Sequence, residues 1–324
     1  MTMRHAVPAG SIFLLLGVLL LLPLQAVAQY PERPVTIVVA NPPGGLTDIA
    51  GRLAAEALRE ATGKSFVVEN KPGASSVIGF EFVAKAAPDG YTILLNSDTQ
   101  AYMPAFSTKL NFDPVNDFDP ITMLIDLPVV VVAARRLEIK SLTDLISQIK
   151  AAPGKFNYAS GGTGTINHVA GVMFEELTGT KMVHIPYQGG GPAMRDVLGG
   201  TVEMIFPTPG VVAPHVGKYT VHILAVTAEK RVKDLPDVPT TAEAGLPGLV
   251  ISTYAALSVP KGTPRDIVTK LNRDLLSMLA KPAWREKFER VGTVLGTSPE
   301  DARKRIVEEA RVKSGLIRRA GIQL

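Results

Sequence analysis

The hydrophobic positions of this chain change period along its length, and the changes divide it into strands and helices. Residues 35–40 are an uninterrupted apolar, β-branched run, the pattern of a buried strand. Over 48–62 the spacing turns helical through Ile49, Leu53, Ala57 and Leu58, and Gly63 supplies the stop. A strand follows at 66–69, closed by the turn Asn70-Lys71-Pro72-Gly73, then a helix at 76–87 and a strand at 91–95. Apolar runs at 121–125 and 128–134 predict a second pair of strands. The helix predicted at 141–152 carries the stripe Leu142, Leu145, Ile146 and Ile149, and Ser141 and Asp144 have the spacing of a capping box. Strands are predicted at 156–159, 182–185, 202–206, 221–227 and 251–259, with helices at 165–178 and 192–198 between them. The end of the chain is helical, over 264–280, 282–292 and 298–315.

Strands alternating with helices at this rhythm predict α/β layers with mostly parallel sheets. A length of 324 residues is too great for one comfortable core, and nothing resembles a linker between two consecutive domains. We expect two α/β lobes that share the chain, with crossings near 120–130 and 220–230. That assigns 30–124 plus 226–324 to lobe 1 and 125–225 to lobe 2.

The first 28 residues read as an address. Arg4 and His5 open them, 12–22 is an apolar run of 11 residues broken only by Gly17, and Pro23 precedes the small-residue site Ala26-Val27-Ala28. This is the three-part pattern of a secretory signal peptide cleaved after about Ala28; a membrane span needs ~20 apolar residues. The chain has no Cys, which excludes a disulfide framework, a thiol nucleophile, a thiolate zinc site and a lipid-modified cysteine. The net charge of +4 drops to +3 when the leader takes Arg4 away, and the charges are scattered. No clustered basic face calls for nucleic acid.

Two loops look alike, and both suit an anion. Ala40-Asn41-Pro42-Pro43-Gly44-Gly45-Leu46-Thr47-Asp48 joins a strand to a helix, and so does Ala159-Ser160-Gly161-Gly162-Thr163-Gly164-Thr165. Glycines let a ligand approach the backbone, and a helix start offers unpaired N–H groups and a partial positive charge. Thr47, Ser160, Thr163 and Thr165 add hydroxyls. If the loops sit in different lobes, they face each other across a cleft and hold a carboxylate without Arg or Lys. One such loop reads as an ordinary tight turn with a capping Thr; the pair tips the reading toward a site.

Enzyme signatures fail. The segment from Gly162 has Asn167 where GxGxxG needs its last glycine, Gly63-Lys64-Ser65 has Leu58 where a P-loop needs its first, and there is no GxSxG. His168, His184, His215 and His222 show no HxxxH or HExxH spacing, so no metal and no cofactor is expected. His168, one turn into the second helix, reads either as a buried or capping residue or as a donor or brace for the loop. Asp48 reads either as an acid suited to a helix start or as an acceptor for a ligand ammonium or hydroxyl. Trp284 reads as packing. A secreted hydrolase using Ser160 and His168, and an interaction scaffold with a degenerate cleft, are the competing functions; the separation of Ser160 and His168 matches no recognised nucleophile–base arrangement.

At these residues the chain resembles the Bug-type substrate-binding proteins of tripartite tricarboxylate transporters, over essentially the whole mature sequence. The matching stretches are Tyr30-Pro31-Glu32-Arg33-Pro34 with the strand after it, Pro43-Gly44-Gly45-Leu46-Thr47-Asp48, and the second glycine loop through Asn167-His168. His184-Ile185-Pro186-Tyr187-Gln188-Gly189 with Pro192-Ala193 and Asp196-Val197-Leu198-Gly199-Gly200 is the most specific, and Asp237-Val238-Pro239-Thr240-Thr241-Ala242-Glu243-Ala244-Gly245 is a further match. The resemblance implies an α/β periplasmic-binding-protein fold, type II-like, whose two lobes close as a Venus flytrap on a small ligand. It implies a monomeric periplasmic receptor without catalysis. The ligand would be a di- or tricarboxylate, an acidic amino acid or an aromatic acid, held mostly by backbone N–H groups. The partners would be the membrane subunits of a tripartite transporter or a sensor ectodomain. Carried over, the site is Gly44, Gly45, Thr47 and Asp48 from one lobe, and Ser160, Gly161, Gly162, Thr163, Gly164, Thr165, His168 and Tyr187 from the other. Asn96 and Ser97, beside Asp98, and Pro207 with Thr208 are expected as further walls. Departures from the family pattern, Asn41-Pro42, Gly51, Gln100 and Met103, fall near the site. Asp98 adds an acid there that would repel a carboxylate or accept an ammonium.

Overall fold

The apolar run Val35–Val39 (β1) is buried along its length because it lies between two parallel neighbours, β2 (Phe66–Asn70) and β3 (Thr92–Asn96). Each is reached through a helix, α1 (Leu46–Thr62) and α2 (Val77–Ala84). α1 turns Ala50, Ala54, Ala57 and Leu58 inward and stops at Gly63, whose φ of +69° suits a residue without a Cβ and whose N–H returns to Arg59 O at 2.9 Å. The computed structural model describes residues 30–106, 110–218 and 220–319, and both sheets belong to the unit Arg33–Leu324. The expected leader lies outside the described residues.

After α3 (Thr99–Phe106) the chain forms β4 (Phe118–Pro128) and then leaves for a second sheet. That sheet holds β5 (Val130–Ala134), β6 (Asn157–Ser160), β7 (Val183–Pro186), β8 (Met204–Ile205) and β9 (Val221–Val226). Their connections carry α4 (Leu142–Ala151), α5 (Ile166–Thr178), α6 (Gly190–Leu198) and the short α7 (Pro209–Val212). The chain returns as β10 (Ser252–Pro260) and ends with α8 (Arg265–Leu279), α9 (Pro282–Glu289), β11 (Thr293–Val294) and α10 (Pro299–Arg319). The first sheet has the order β11-β4-β10-β3-β1-β2, the second β7-β6-β8-β5-β9.

The expectation of mostly parallel sheets is corrected. Strands joined by a helical crossover are parallel, as β1 is with β2 and β6 with β7 and β8. The strands that carry the chain between sheets run against their neighbours: β10 against β3 and β4, and β5 against β8 and β9. Of the expected changeovers, the first stays within 120–130 and the second moves. β4 continues through Asp126, which accepts from Arg305 and Ser252, and pairs with β10 as far as Pro128. Val226 still pairs with Val130, and Leu235, Val238, Leu249 and Ile251 pack in the cores of the second sheet. The changeovers therefore lie at Val129 and between Ile251 and Ser252.

Both are tied by one buried residue. Thr227 Oγ1 accepts from Val129 N–H at 3.0 Å and lies 2.9 Å from Val129 O and 2.6 Å from Ile251 O, while Ile251 N–H donates to Thr227 O at 3.1 Å. α10 spans the same junction. Ser314 Oγ donates to Ala101 O on α3 (2.8 Å), Arg319 reaches Glu176 on α5 (2.9 Å), and Leu316 and Ile317 enter the second sheet's core beside Tyr158 and Phe174. No helix among the described residues is long and apolar enough to cross a membrane.

Candidate anion-binding site

The first loop leaves the carboxyl end of β1 and opens α1. Gly45 is the residue before the first helical turn, and no side chain caps it. The bond that shapes the loop runs the other way: Gly44 N–H donates to the Asp48 carboxylate at 2.9 Å. Gly44 has φ +84°, a conformation that favours glycine. The same carboxylate accepts Arg52 Nε and Nη2 (3.0 and 2.9 Å) and Asn70 Nδ2 (3.0 Å). These donors, Arg52 foremost, hold the buried Asp48 down to about 2 against the opposing effect of burial. Thr47 Oγ1 donates to Asn41 Oδ1 (3.1 Å), and Asn41 Nδ2 donates to Ser76 Oγ (3.3 Å). The Thr47 hydroxyl, the Gly44 N–H and the Asp48 carboxylate are thus all used within the loop. Asp48 is not an open acceptor for a ligand, because its four donors already fill it. The N–H groups of Gly45, Leu46, Thr47 and Asp48 head α1 and, as the first turn of a helix, have no intrahelical acceptor.

The second loop, from the end of β6 into α5, repeats the device. Thr165 is the residue before the first turn, again without a side-chain cap. Gly164 N–H donates to Nδ1 of His168, four residues on, at 3.1 Å. His168 is buried, and burial first and neighbouring His184 second hold it down to about 4, so the ring is neutral with its proton on Nε2. Ser160 Oγ accepts Gly162 N–H (3.1 Å), contacts Gly162 O (3.0 Å) and lies 2.6 Å from His184 Nε2. Thr165 Oγ1 donates to Gly162 O (2.7 Å). Gly162 and Gly164 are therefore pinned inward, while the N–H groups of Thr163, Ile166 and Asn167 keep no partner among the described residues. Asn167 Nδ2 donates to Phe206 O, which fixes the β8–α7 turn beside this helix start.

The partner of Ser160 is His184, not His168. Ser160 is fully buried and its hydroxyl is shared among loop atoms, so the expected Ser160–His168 pair does not form. The other expected walls divide. Asn96 is buried between Gln100 and Ser258, and Ser97 Oγ, also buried, donates to Thr99 (3.1 Å). Asp98 is buried too, accepting from Tyr102 Oη (3.2 Å) and Thr253, and burial raises its pKa. These three turn into the packing under α3 rather than onto an open surface, because α3 starts right after them. The Tyr187 hydroxyl donates to Asp196 on α6 (2.5 Å) and is pushed up to about 12, chiefly by desolvation. Pro207 is buried with its carbonyl accepting Val130 N–H (2.8 Å), and Thr208 is half-buried at the start of α7.

The sequence reading missed two contributors. Gly189–Gly191 open α6 without a cap, and a Cβ on Gly161 would stand 3.2 Å from Gly190 N, so a second helix start meets this loop. The run Gly189-Gly190-Gly191 was the signal that could have found it. His184 was the other: β6 and β7 pair Tyr158 with His184 in register, so a ring from β7 comes to lie under the β6 loop. A cavity of about 670 Å³ stands apart from both loops, beside the changeover segments, lined by Asp126, Thr227, Ile251, Arg305 and Leu316 among others.

A family model described as the tripartite tricarboxylate transporter family receptor matches residues 50–322. BugT of Bordetella pertussis is 36% identical over 298 residues, covering 91% of this chain and 91% of BugT. Among solved structures, an R. palustris protein with adipate is 32% identical at a TM-score of 0.77, covering 91% of this chain and 100% of that one. MatC from Rhodopseudomonas palustris with bound malate is 28% identical at a TM-score of 0.74, covering 89% of this chain and 100% of MatC.

Proposed function

The chain belongs to the tripartite tricarboxylate transporter receptor family, and from that premise we propose that it captures a small carboxylate between two lobes, one built on each sheet. The observation that carries this reading is the matched pair of helix starts, α1 and α5. Each is uncapped, and each has the preceding glycine N–H tied to the side chain four residues on. That tie leaves the first-turn N–H groups for a ligand, and a charged acceptor gains roughly 1.5–3 kcal/mol per bond from such donors. The helix start adds about 0.3–1 kcal/mol. In this reading the two loops would face each other across a cleft, and closure would bring one helix start to each end of the ligand. Adipate and malate, the ligands of the two solved relatives, head the candidates, with tricarboxylates, acidic amino acids and aromatic acids after them.

In this reading the protein is exported to the periplasm, works as a monomer, and hands its ligand to transporter membrane subunits or to a sensor ectodomain. It is not an enzyme: a hydrolase would need Ser160 open to substrate, and that residue is fully buried. Calorimetry of the exported chain, unfolded and refolded to strip retained ligand, against a panel of these acids tests the proposal. Binding of one or more at micromolar affinity or better is expected. Heat from none of them, together with turnover of a generic ester lost on Ser160→Ala, would favour the hydrolase instead.

A further inference from the structure

Under the second loop, two imidazoles lie face to face. The rings of His168 and His184 are 3.8 Å apart and within 4° of parallel, and Tyr158 stacks on His184 at 5.1 Å. One comes from α5 and the other from β7, and each reaches a different pinned glycine: His168 Nδ1 takes Gly164 N–H directly, and His184 Nε2 meets the Ser160 oxygen that takes Gly162 N–H. In the first loop the corresponding brace is Asp48, whose negative charge is offset by Arg52, also four residues on. In the second loop the position four beyond His168 is Val172. No charged residue stands at that position to pair with a charged brace.

We propose that His168 and His184 are positioning residues of the anion loop and that they act as an uncharged pair, holding Gly162 and Gly164 inward so that the Thr163, Ile166 and Asn167 N–H groups stay presented. The anion role rests on the receptor reading; the brace itself does not. Protonation of His168 sets an N–H against the Gly164 N–H, and protonation of both rings would place two cations at stacking distance. The other titratable groups on the elements around the pair are engaged elsewhere or apolar in contact. Glu175 on α5 accepts Met182 N–H (2.6 Å), and Tyr187 is held by Asp196 on α6. Tyr158 on β6 contacts by its ring, and Glu203 at the edge of β8 binds Arg136 and Asn157. Among the described residues none of them hydrogen-bonds to either imidazole.

The test uses the ¹⁵N-labelled exported chain and two readouts. At pH 7 a through-bond coupling between Gly164 N and His168 Nδ1 is expected, disappearing as His168 titrates. His168→Leu should speed exchange of the Gly164 amide at least about tenfold, and His168→Asn should restore protection and remove its pH dependence. His184→Leu should do the same to Gly162, with His184→Gln restoring it. Calorimetry with succinate and citrate follows. His168→Asp, which keeps an acceptor but adds an unpaired charge, should protect Gly164 and yet weaken binding about tenfold or more. A Gly164 amide indifferent to His168→Leu, or a Gly162 amide indifferent to His184→Leu, overturns the brace. Binding unchanged in His168→Asp overturns the requirement for neutrality. If the unmodified chain binds no carboxylate at all, the receptor reading falls, while the amide measurements still decide the brace.

Discussion

Acid should weaken this fold through His168 in a window fixed by the ring's surroundings. The folded ring is held down to about 4, against 6.5 for an ordinary imidazole, because it is buried and stacked on His184. Between those values the unfolded chain binds a proton that the folded chain refuses, so stability falls as pH drops from about 6.5 to about 4 and levels off below. At about 1.4 kcal/mol per pH unit, the window is worth about 3 kcal/mol. His184, lowered by burial, acts in the same direction. Asp98 and Glu175 act in the opposite one, because their raised carboxyls take up protons more readily folded than unfolded. Asp48 lies outside the window: it is held down to about 2, so its contribution begins to fall below about 4. Comparing the chain with His168→Asn removes these shared contributions. Urea denaturation of both proteins from pH 7 to pH 4 should give a stability difference that shifts by about 3 kcal/mol in favour of the variant. A difference that stays flat across that range refutes the reasoning.

Gly171→Ala should cost at least 1–3 kcal/mol of stability in urea denaturation, since its Cβ would fall 2.2 Å from the ring of the buried Tyr158. Gly161→Asp should abolish calorimetric binding of carboxylates, because it places a like charge beside the start of α6, its Cβ 3.2 Å from Gly190 N. Thr227→Val should lower stability by about 1–3 kcal/mol, as it strands the Val129 N–H inside the core, and urea midpoints will show it.

Much of this fold was legible because local rules decided it. Half of the Ser141–Asp144 box forms as spaced, with Asp144 N–H donating to Ser141 Oγ at 3.1 Å while the Asp144 carboxylate takes the Lys140 N–H, and Gly63 ends α1 where periodicity ends. What escaped depended on distant chain. α3 has Pro104 inside it and holds through Ser314 of α10, which no local pattern announces. Asp126 reads as a break between two apolar runs, yet Arg305 and Ser252 let it sit inside β4. Strand directions follow from where the chain changes sheets. The site divided in the same way: both glycine loops were visible as composition, whereas the turning-in of Asn96 and the arrival of His184 required the register of neighbouring strands.

The order of strands in the two sheets also sets the order in which they can assemble. Every strand of the second sheet lies between Val130 and Val226, so the strands of that sheet all emerge in one stretch of polypeptide. The first sheet is different, because β10, which sits between β3 and β4, begins only at Ser252. A chain emerging from its N-terminus therefore exposes β1, β2 and β3 long before their closing strand exists. Non-local pairing of this kind is slow to form. Pulse-labelled exchange during refolding should protect amides of β5, β6 and β8 before those of β3, so that the sheet bearing the histidine brace forms while the sheet bearing Asp48 still waits for β10.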